Sequence, residues 1–508
     1  MGAYMENIIT FNTDQMDPPV VGNDLFANRT ALAESLQQAA YAEVTIAIQG
    51  FNRLNKTKQC VESVLKYTEN VDYELLLIDN GSEDDTLDYF RSVPYKKKRI
   101  LHITKNIGSG FPPLLLSSYS LGKYLCWLPN DLIVTPRWME NLLACMNSDP
   151  KIGMVTPVCN NTSNWQDVNL PYKNYFEMQE QAARFNHSDS RKWEDRQRLL
   201  TLGTLYRKEV LLADGWPLGD AGFFHDFGDD NITFKIRRLG YRTVLAGDTW
   251  VCHDHDLRHG EDKDPAEFRQ SLNIGRANFK EKYFGLDAWE DANNYFIPYL
   301  QDFPAPAIKG SAKVLGVDVR CGPPILDVKN WLRKFGIFQT ELSAFIQDPK
   351  YWLDLKTICD GPVICDREEF LSDGFLTGYF DYVIADRPIN RYHEPQKVIN
   401  DLFTLCKSGG VVACKLKNTF SFQEYVHLLG QWHVYDREYA YPLPVDAVND
   451  TLKRLGDVKA IIAIPFDLNE ETRQTIDSLI PAELPERQRT ELLKRMTWKE
   501  YLFIIQKH

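Results

Sequence analysis

Acidic residues and histidines recur just past short apolar runs. Asp79 follows Leu75 to Ile78, Asp131 follows Tyr124 to Leu128, Asp229 and Asp230 open a helical stretch, and His253 and His255 come soon after Trp250. Side chains of these types can hold a divalent cation or take a proton from an incoming group. Each also has a plainer reading. Asn130-Asp131 alone is a strand end followed by an Asx turn, Asp229 or Asp230 alone is a helix N-cap, and two alternating histidines alone are surface groups.

The elements that must position these residues alternate. Val44 to Ile48 reads as a strand and Lys58 to Tyr67 as a helix. Leu75 to Ile78 is the next strand, a helix begins near Asp84, and Ile100 to Ile103 is a third strand. Leu114 to Ser120 reads as a helix, Tyr124 to Leu128 as a strand and Thr243 to Leu245 as a later one. This βαβα order predicts a largely parallel sheet, with Asp79 and Asp131 at the carboxyl edge where open α/β sheets hold ligands.

Asp79 to Thr86 reads Asp-Asn-Gly-Ser-Glu-Asp-Asp-Thr. Asn106-Ile107-Gly108, Leu128-Pro129-Asn130-Asp131 and Pro136-Arg137-Trp138 follow in order. The series resembles the family-2 glycosyltransferases, whose nucleotide-binding domain is called GT-A, and later segments extend the likeness to residue 255. Gly228-Asp229-Asp230-Asn231 leads to Gly240-Tyr241, and Trp250 to His255 resembles a late histidine-containing loop.

The resemblance implies metal-dependent, inverting transfer of a sugar from a nucleotide diphosphate sugar. Uridine is the suggested base, and the acceptor is a glycan, lipid-linked saccharide or protein. Asn52, Asp79, Asn106, Asn130 and Asp131 are the donor-binding candidates. Asp131 and His253, with His255 as the alternative histidine, are candidate ligands of Mn2+ or Mg2+. Asp229 is the candidate base and Asp230 its rival, while Trp165 and Trp216 are candidate sugar platforms. Two acids of the family pattern are missing, replaced by Pro129 and Gly228. The competing expectation is a noncatalytic carbohydrate-binding or assembly protein.

The chain has 508 residues, 44% apolar and 25% charged, which suits more than one folded domain. A net charge of -12 argues against nucleic acid as partner. The cluster Lys96 to Arg99 reads as a solvated turn before a strand. The ten cysteines include no Cys-x-x-Cys pair, which favours a reducing compartment. No leading signal pattern is seen, and no apolar stretch is long enough to span a bilayer, since Leu114 to Leu128 contains Lys123. A cytoplasmic location is expected, with peripheral association at the inner membrane face left open. The sequence sets no oligomeric state.

A second alternating region follows Phe303-Pro304-Ala305-Pro306-Ala307, with strands at Lys313 to Val317, Tyr382 to Ala385 and Val411 to Leu416. Ala460 to Ile464 and Tyr501 to Ile505 are expected to close it as an antiparallel pair. Val317-Asp318-Val319-Arg320-Cys321-Gly322-Pro323 partly resembles the first loop of Rossmann-like methyltransferases. Asp318, Gly322 and Glu341 are the candidate cofactor positions. Arg320 and Pro323 depart from the flexible glycine-rich pattern, so S-adenosylmethionine is not expected. The expected organisation is an N-terminal extension (1–42), a GT-A domain (43–256), a helical bridge and linker (257–310) and a degenerate methyltransferase-like domain (311–508).

Overall fold

A computed structural model describes residues 8–12, 40–108, 120–210, 223, 226–255, 265–430 and 440–508. The chain divides into two compact units, Met1–Asn293 and Asn294–His508. The helix expected over Leu114 to Ser120 lies, apart from Ser120, outside the described residues.

The strands of the first unit are β1 (Ile8–Phe11), β2 (Ala42–Gly50), β3 (Tyr73–Asn80), β4 (Lys98–Ile103), β5 (Gly122–Pro129), β6 (Leu132–Ile133), β7 (Ile152–Cys159), β8 (Trp193–Asp195), β9 (Thr204–Arg207) and β10 (Arg242–His253). They pair in the order β1-β4-β3-β2-β5-β9-β7-β10-β6, with β8 beside β10. β1 to β5 run parallel. β9 is antiparallel between β5 and β7, and β7 and β10 are again parallel. The supposed N-terminal extension thus contributes an edge strand, because Ile8 to Phe11 can pair with β4.

Both faces of the sheet are covered. Ile46, Leu75, Leu77 and Cys126 belong to one apolar cluster, and Ala47, Leu76, Ile78 and Leu125 to another. Burial on both sides explains why these strands read as continuous apolar runs without a polar alternation.

β10 runs well past the Thr243 to Leu245 strand expected from sequence. Its pairing with β7 jumps from Ala246↔Pro157 to Trp250↔Val158, so residues 247–249 bulge out of the ladder. The bulge is fastened by the fully buried Asp248. Its Oδ2 accepts from the Asp189 N–H at 2.8 Å and from Trp193 Nε1 at 2.7 Å. His253 is consequently the last residue of a strand, not part of a loop.

The second unit holds β11 (Ser311–Val317), β12 (Gln339–Ile346), β13 (Val363–Cys365), β14 (Phe380–Ala385), β15 (Cys406–Lys417), β16 (Gly456–Pro465) and β17 (Trp498–Lys507). Their order is β13-β12-β11-β14-β15-β17-β16. The first five are parallel, β17 is antiparallel to β15, and β16 is antiparallel to β17. The anticipated closing pair is β16 with β17. No helix among the described residues is long and apolar enough to cross a membrane.

The helix Pro265–Lys282, expected as part of a bridge, packs within the first unit against the helix Gly228–Arg238. Phe279 is fully buried, with ring centroids 5.1 Å from Phe234, 6.2 Å from Phe227 and 4.5 Å from Tyr283. The Tyr283 hydroxyl donates to Asn231 Oδ1 at 2.9 Å. Replacing Phe279 with Ala removes the hub of this aromatic cluster and should cost about 3–5 kcal/mol. Denaturant unfolding measures it; a loss below about 1 kcal/mol would show that the cluster does not hold the Gly228–Arg238 helix.

Candidate functional site

The loops leaving β2, β3 and β5 at their carboxyl ends interlock. Asn52 and Arg53 adopt φ of 52° and 58°. The Asn52 N–H donates to Ser82 Oγ at 3.0 Å, its Oδ1 accepts from the Glu83 N–H at 2.9 Å, and its carbonyl accepts from Asn130 Nδ2 at 3.3 Å. Gly81 has φ 73°, and a Cβ there would stand 2.5 Å from the Asn106 nitrogen, so the crossing admits only glycine. Asn80 spans the gap by donating to Asn106 Oδ1 at 3.1 Å and the Gly108 carbonyl at 3.0 Å. Asn52, Asn106 and Asn130 therefore belong to one hydrogen-bonded rim.

Asp79, a donor-binding candidate, lies within a strand and not just past one. β3 continues through it to Asn80, and Asp79 is fully buried. Its Oδ1 accepts from the Ser82 N–H at 3.1 Å, and its Oδ2 lies 2.7 Å from His102 Nδ1. The member of this pair that presents surface is His102.

Asp131 reaches the histidines through backbone pairing. His253 pairs with Leu132 across β10 and β6, and the Asp254 N–H donates to the Asp131 carbonyl at 2.9 Å. Asp131 Oδ2 lies 3.7 Å from His253 Nε2 and 3.9 Å from His255 Nδ1. Those distances are too long for hydrogen bonds, and Oδ1 is buried with no hydrogen-bond partner. Burial works to raise the Asp131 pKa, but the two imidazoles outweigh it and hold the carboxyl well below the usual carboxylate range. A largely buried carboxylate with an unsatisfied oxygen beside two imidazoles fits a divalent cation.

His253 is held firmly. Its N–H donates to Asn160 Oδ1 at 2.9 Å and its carbonyl accepts from Asn160 Nδ2 at 3.1 Å. Its ring Nδ1 lies 3.1 Å from the Asn161 carbonyl. Lys56 bonds to the Asp254 carbonyl and pairs with its carboxylate at 3.2 Å.

Asp229 and Asp230 share the first turn of their helix, whose N-cap is Phe227, so neither is the cap. Asp230 is buried against Arg198, which donates from Nε at 2.6 Å and from Nη2 at 3.1 Å. Asp229 accepts from the Thr201 hydroxyl. Burial pushes the Asp229 carboxyl up to about 6, against that hydrogen bond and aided by the Asp230 charge. Asp229 and His253 line one cleft of about 360 Å³ together with Asn161, Thr162, Ser163, Leu200 and Leu202.

Trp165 stands in the loop beside that cleft with half its surface exposed and φ 58°, but it does not line the cleft. Trp216 lies outside the described residues.

In the second unit Asp318 has φ 47° and accepts three hydrogen bonds from its own fold. Its Oδ1 accepts from the Gln347 N–H at 2.9 Å, and its Oδ2 accepts from Gln347 Nε2 at 2.9 Å and the Tyr392 hydroxyl at 2.8 Å. Gly322 caps the helix Pro323–Lys334 with φ 105°. Glu341 is not beyond a strand, as expected, but inside β12, paired with Lys313 near the amino end and distant from the carboxyl edge. The sequence register failed there because β12 begins only at Gln339. Glu341 is therefore separated along the sheet from Asp318 and Gly322.

Arg198, Thr201, Asn160, Asn161, His102 and Lys56 were not picked out from sequence. None sits in a motif, since each acts through a partner distant along the chain.

Residues 45–203 match the family model described as Glycosyl transferase family 2. Two relatives, each called an uncharacterized glycosyltransferase, are similar over short stretches. The one from Rickettsia felis is 36% identical over 90 residues, covering 18% of this chain and 15% of the relative. The one from Rickettsia bellii is 33% identical over 123 residues, covering 21% and 18%. The chain therefore spans less than a fifth of the length of either relative. Among solved structures, the mannosyltransferase PcManGT from Pyrobaculum calidifontis, in complex with GDP-Man and Mn2+, is 14% identical with a TM-score of 0.33, covering 52% of this chain and 80% of that one. TarS 1-349 from S. aureus, in complex with UDP-GlcNAc, is 12% identical with a TM-score of 0.34, covering 47% and 66%. The family match ends before Asp229 and His253, but the stretch similar to glycosyl transferase family 2, residues 45–203, contains Asn52, Asp79, Asn106 and Asp131.

Proposed function

We propose that the first unit is a GT-A enzyme transferring a sugar, with inversion, from a nucleotide diphosphate sugar to a hydroxyl-bearing glycan, lipid-linked saccharide or protein. The observation that carries this is a single cleft lined by both Asp229 and His253, with Asp131 beside the histidine. One wall supplies a base with an elevated pKa and the other a place for the leaving diphosphate.

Asp229, as carboxylate, accepts the acceptor hydroxyl proton while the hydroxyl oxygen attacks the anomeric carbon. The bond from that carbon to the diphosphate breaks on the opposite face, and its electron pair leaves with the phosphate. Asp131 and His253 would hold Mn2+ or Mg2+, which when bound screens the phosphate charge of the leaving group. Asp230 is unsuited to the base role because Arg198 engages both its oxygens. The rim of Asn52, Asn106 and Asn130, with His102 held by Asp79, is assigned to the nucleotide, for which uridine is the proposed base. Trp165 is assigned to the acceptor side.

For the second unit we infer a methyltransferase-like, Rossmann-type architecture that serves as a scaffold or in acceptor recognition. Its support is the parallel sheet closed by an antiparallel pair, together with an Asp318 carboxylate consumed by Gln347 and Tyr392.

A panel of nucleotide sugars with Mn2+ or Mg2+ should yield donor turnover and an acceptor mass gain of one sugar; no turnover and no donor binding would favour the noncatalytic binding module. Asp229→Asn should keep donor binding and lower kcat by about 10²–10⁴-fold, whereas unchanged kcat would sink the base assignment. In wild type, kcat/KM should rise with pH through about 6, the free-enzyme Asp229 pKa, and the mutant should lose that limb. The same carboxyl affects stability. Its pKa in the folded chain exceeds the unfolded value of about 3.9, so its contribution falls as pH rises from about 4 to about 6 and does not recover above that. Asp229→Asn should therefore raise the melting temperature at pH 8 but not at pH 4; a loss at pH 8 would indicate a structural role. S-adenosylmethionine titration should give no specific binding to the second unit, and methyl transfer would overturn the scaffold reading.

A further inference from the structure

The pattern that the family-2 resemblance implies offers two acids near the metal, but Pro129 supplies none. It ends β5, and its carbonyl faces Cys60 Sγ at 3.8 Å. Among the described residues, one group of three or more His, Cys, Asp or Glu side chains converges well enough to hold an ion: Asp131, His253 and His255, whose ligand atoms all lie within 4.8 Å of one another.

Three features show that both imidazoles are directed at this point. His253 Nδ1 faces the Asn161 carbonyl at 3.1 Å. A carbonyl can only accept, so Nδ1 donates to it and Nε2 is the ring nitrogen left to face Asp131. This is the arrangement found in ligating histidines, whose other ring nitrogen donates to a carbonyl or carboxylate. His255, two residues on, follows on the same side of the chain, its ring stacked on His253 with centroids 5.0 Å apart. Between them Asp254 is fixed by the Asp131 carbonyl and by Lys56, so the rings are spaced by clamped backbone.

The spacing is close to that of a loaded site. Ligands about 2.1 Å from an ion at tetrahedral angles stand about 3.4 Å apart. The separations of 3.7 Å and 3.9 Å from Asp131 Oδ2 exceed that value by a few tenths of an ångström, and all three donors lie within 4.8 Å of one another.

We propose that His255 and His253 bind the cation together with Asp131, so that a second imidazole takes the place of the missing carboxylate. The substitution changes what the site prefers. Two nitrogens and one oxygen suit Mn2+, Co2+ or Zn2+ better than Mg2+, whose preference is for oxygen. It also changes the charge. One carboxylate leaves a divalent ion with a net positive charge that two would cancel, so the ion keeps its pull on a diphosphate. That last consequence rests on the glycosyl-transfer reading, but the ligand set does not.

The test is metal binding to the full chain without nucleotide sugar. Mn2+ titration followed by electron paramagnetic resonance should show coupling to two imidazole nitrogens, and Mg2+ should compete poorly. His255→Ala should reduce the coupling to one nitrogen and weaken Mn2+ binding by about 10–100-fold, the loss common when even a supporting partner of a ligand is removed. The His255 side chain is 41% exposed, so a circular dichroism spectrum should confirm an intact fold. His255→Asp should restore binding and improve Mg2+ competition. A single nitrogen coupling in wild type, unchanged affinity in His255→Ala, or equal affinity for Mg2+ and Mn2+ would overturn the proposal. A two-nitrogen site with no binding of any nucleotide sugar would uphold the ligand set and reject the transferase reading. Turnover with one coupled nitrogen would do the reverse.

Discussion

A short antiparallel contact decides whether this molecule has a site at all. Leu132 and Ile133 pair with the end of β10, and the Asp254 N–H extends the contact to the Asp131 carbonyl. Residues more than a hundred positions apart are thereby fixed by main-chain bonds, whose geometry tolerates little drift. Asn160 repeats the device from the other side by closing two hydrogen bonds on the His253 backbone. The chemical groups are side chains, but their separation is set by peptide units.

The neighbouring acids Asp229 and Asp230 show how position divides two identical side chains. The helix turn directs Asp230 inward, where the paired bonds from Arg198 meet its charge. Asp229 faces the cleft with a hydroxyl as partner, too weak a donor to offset burial. One acid becomes part of the frame and the other is left facing the cleft, at a cost to the fold above its pKa. The aromatic cluster around Phe279 helps to bear that cost by pinning the helix that carries both.

The sequence makes the first sheet legible because strands buried on both faces are continuous apolar runs, and Asp79 and Asp131 mark where two of them reach the carboxyl edge. In the second sheet Tyr501 to Ile505 is legible for the same reason, whereas Ala460 to Ile464 reads as apolar although it lies on a half-buried edge strand. The edge strand Ile8–Phe11 is not legible, being four residues long and stabilised by β4 rather than by its own pattern. Neither is the burial of Asp79, which depends on His102 in the adjacent strand, nor the pairing of Asp230 with Arg198, which lies 32 positions away. Residue type reveals what a site is able to do; which member of a pair is spent on structure depends on contacts that no local pattern encodes.

The bulge in β10 bears on how changes in this chain translate into space. Ala246 and Trp250 are four residues apart and in a regular strand would share a face, yet they join different apolar clusters. Three extra residues, an odd number, have reversed the phase of everything that follows. Losing a single residue between Ala246 and Trp250 would act as a frameshift written in geometry, with the downstream letters intact and every one of them facing the wrong way.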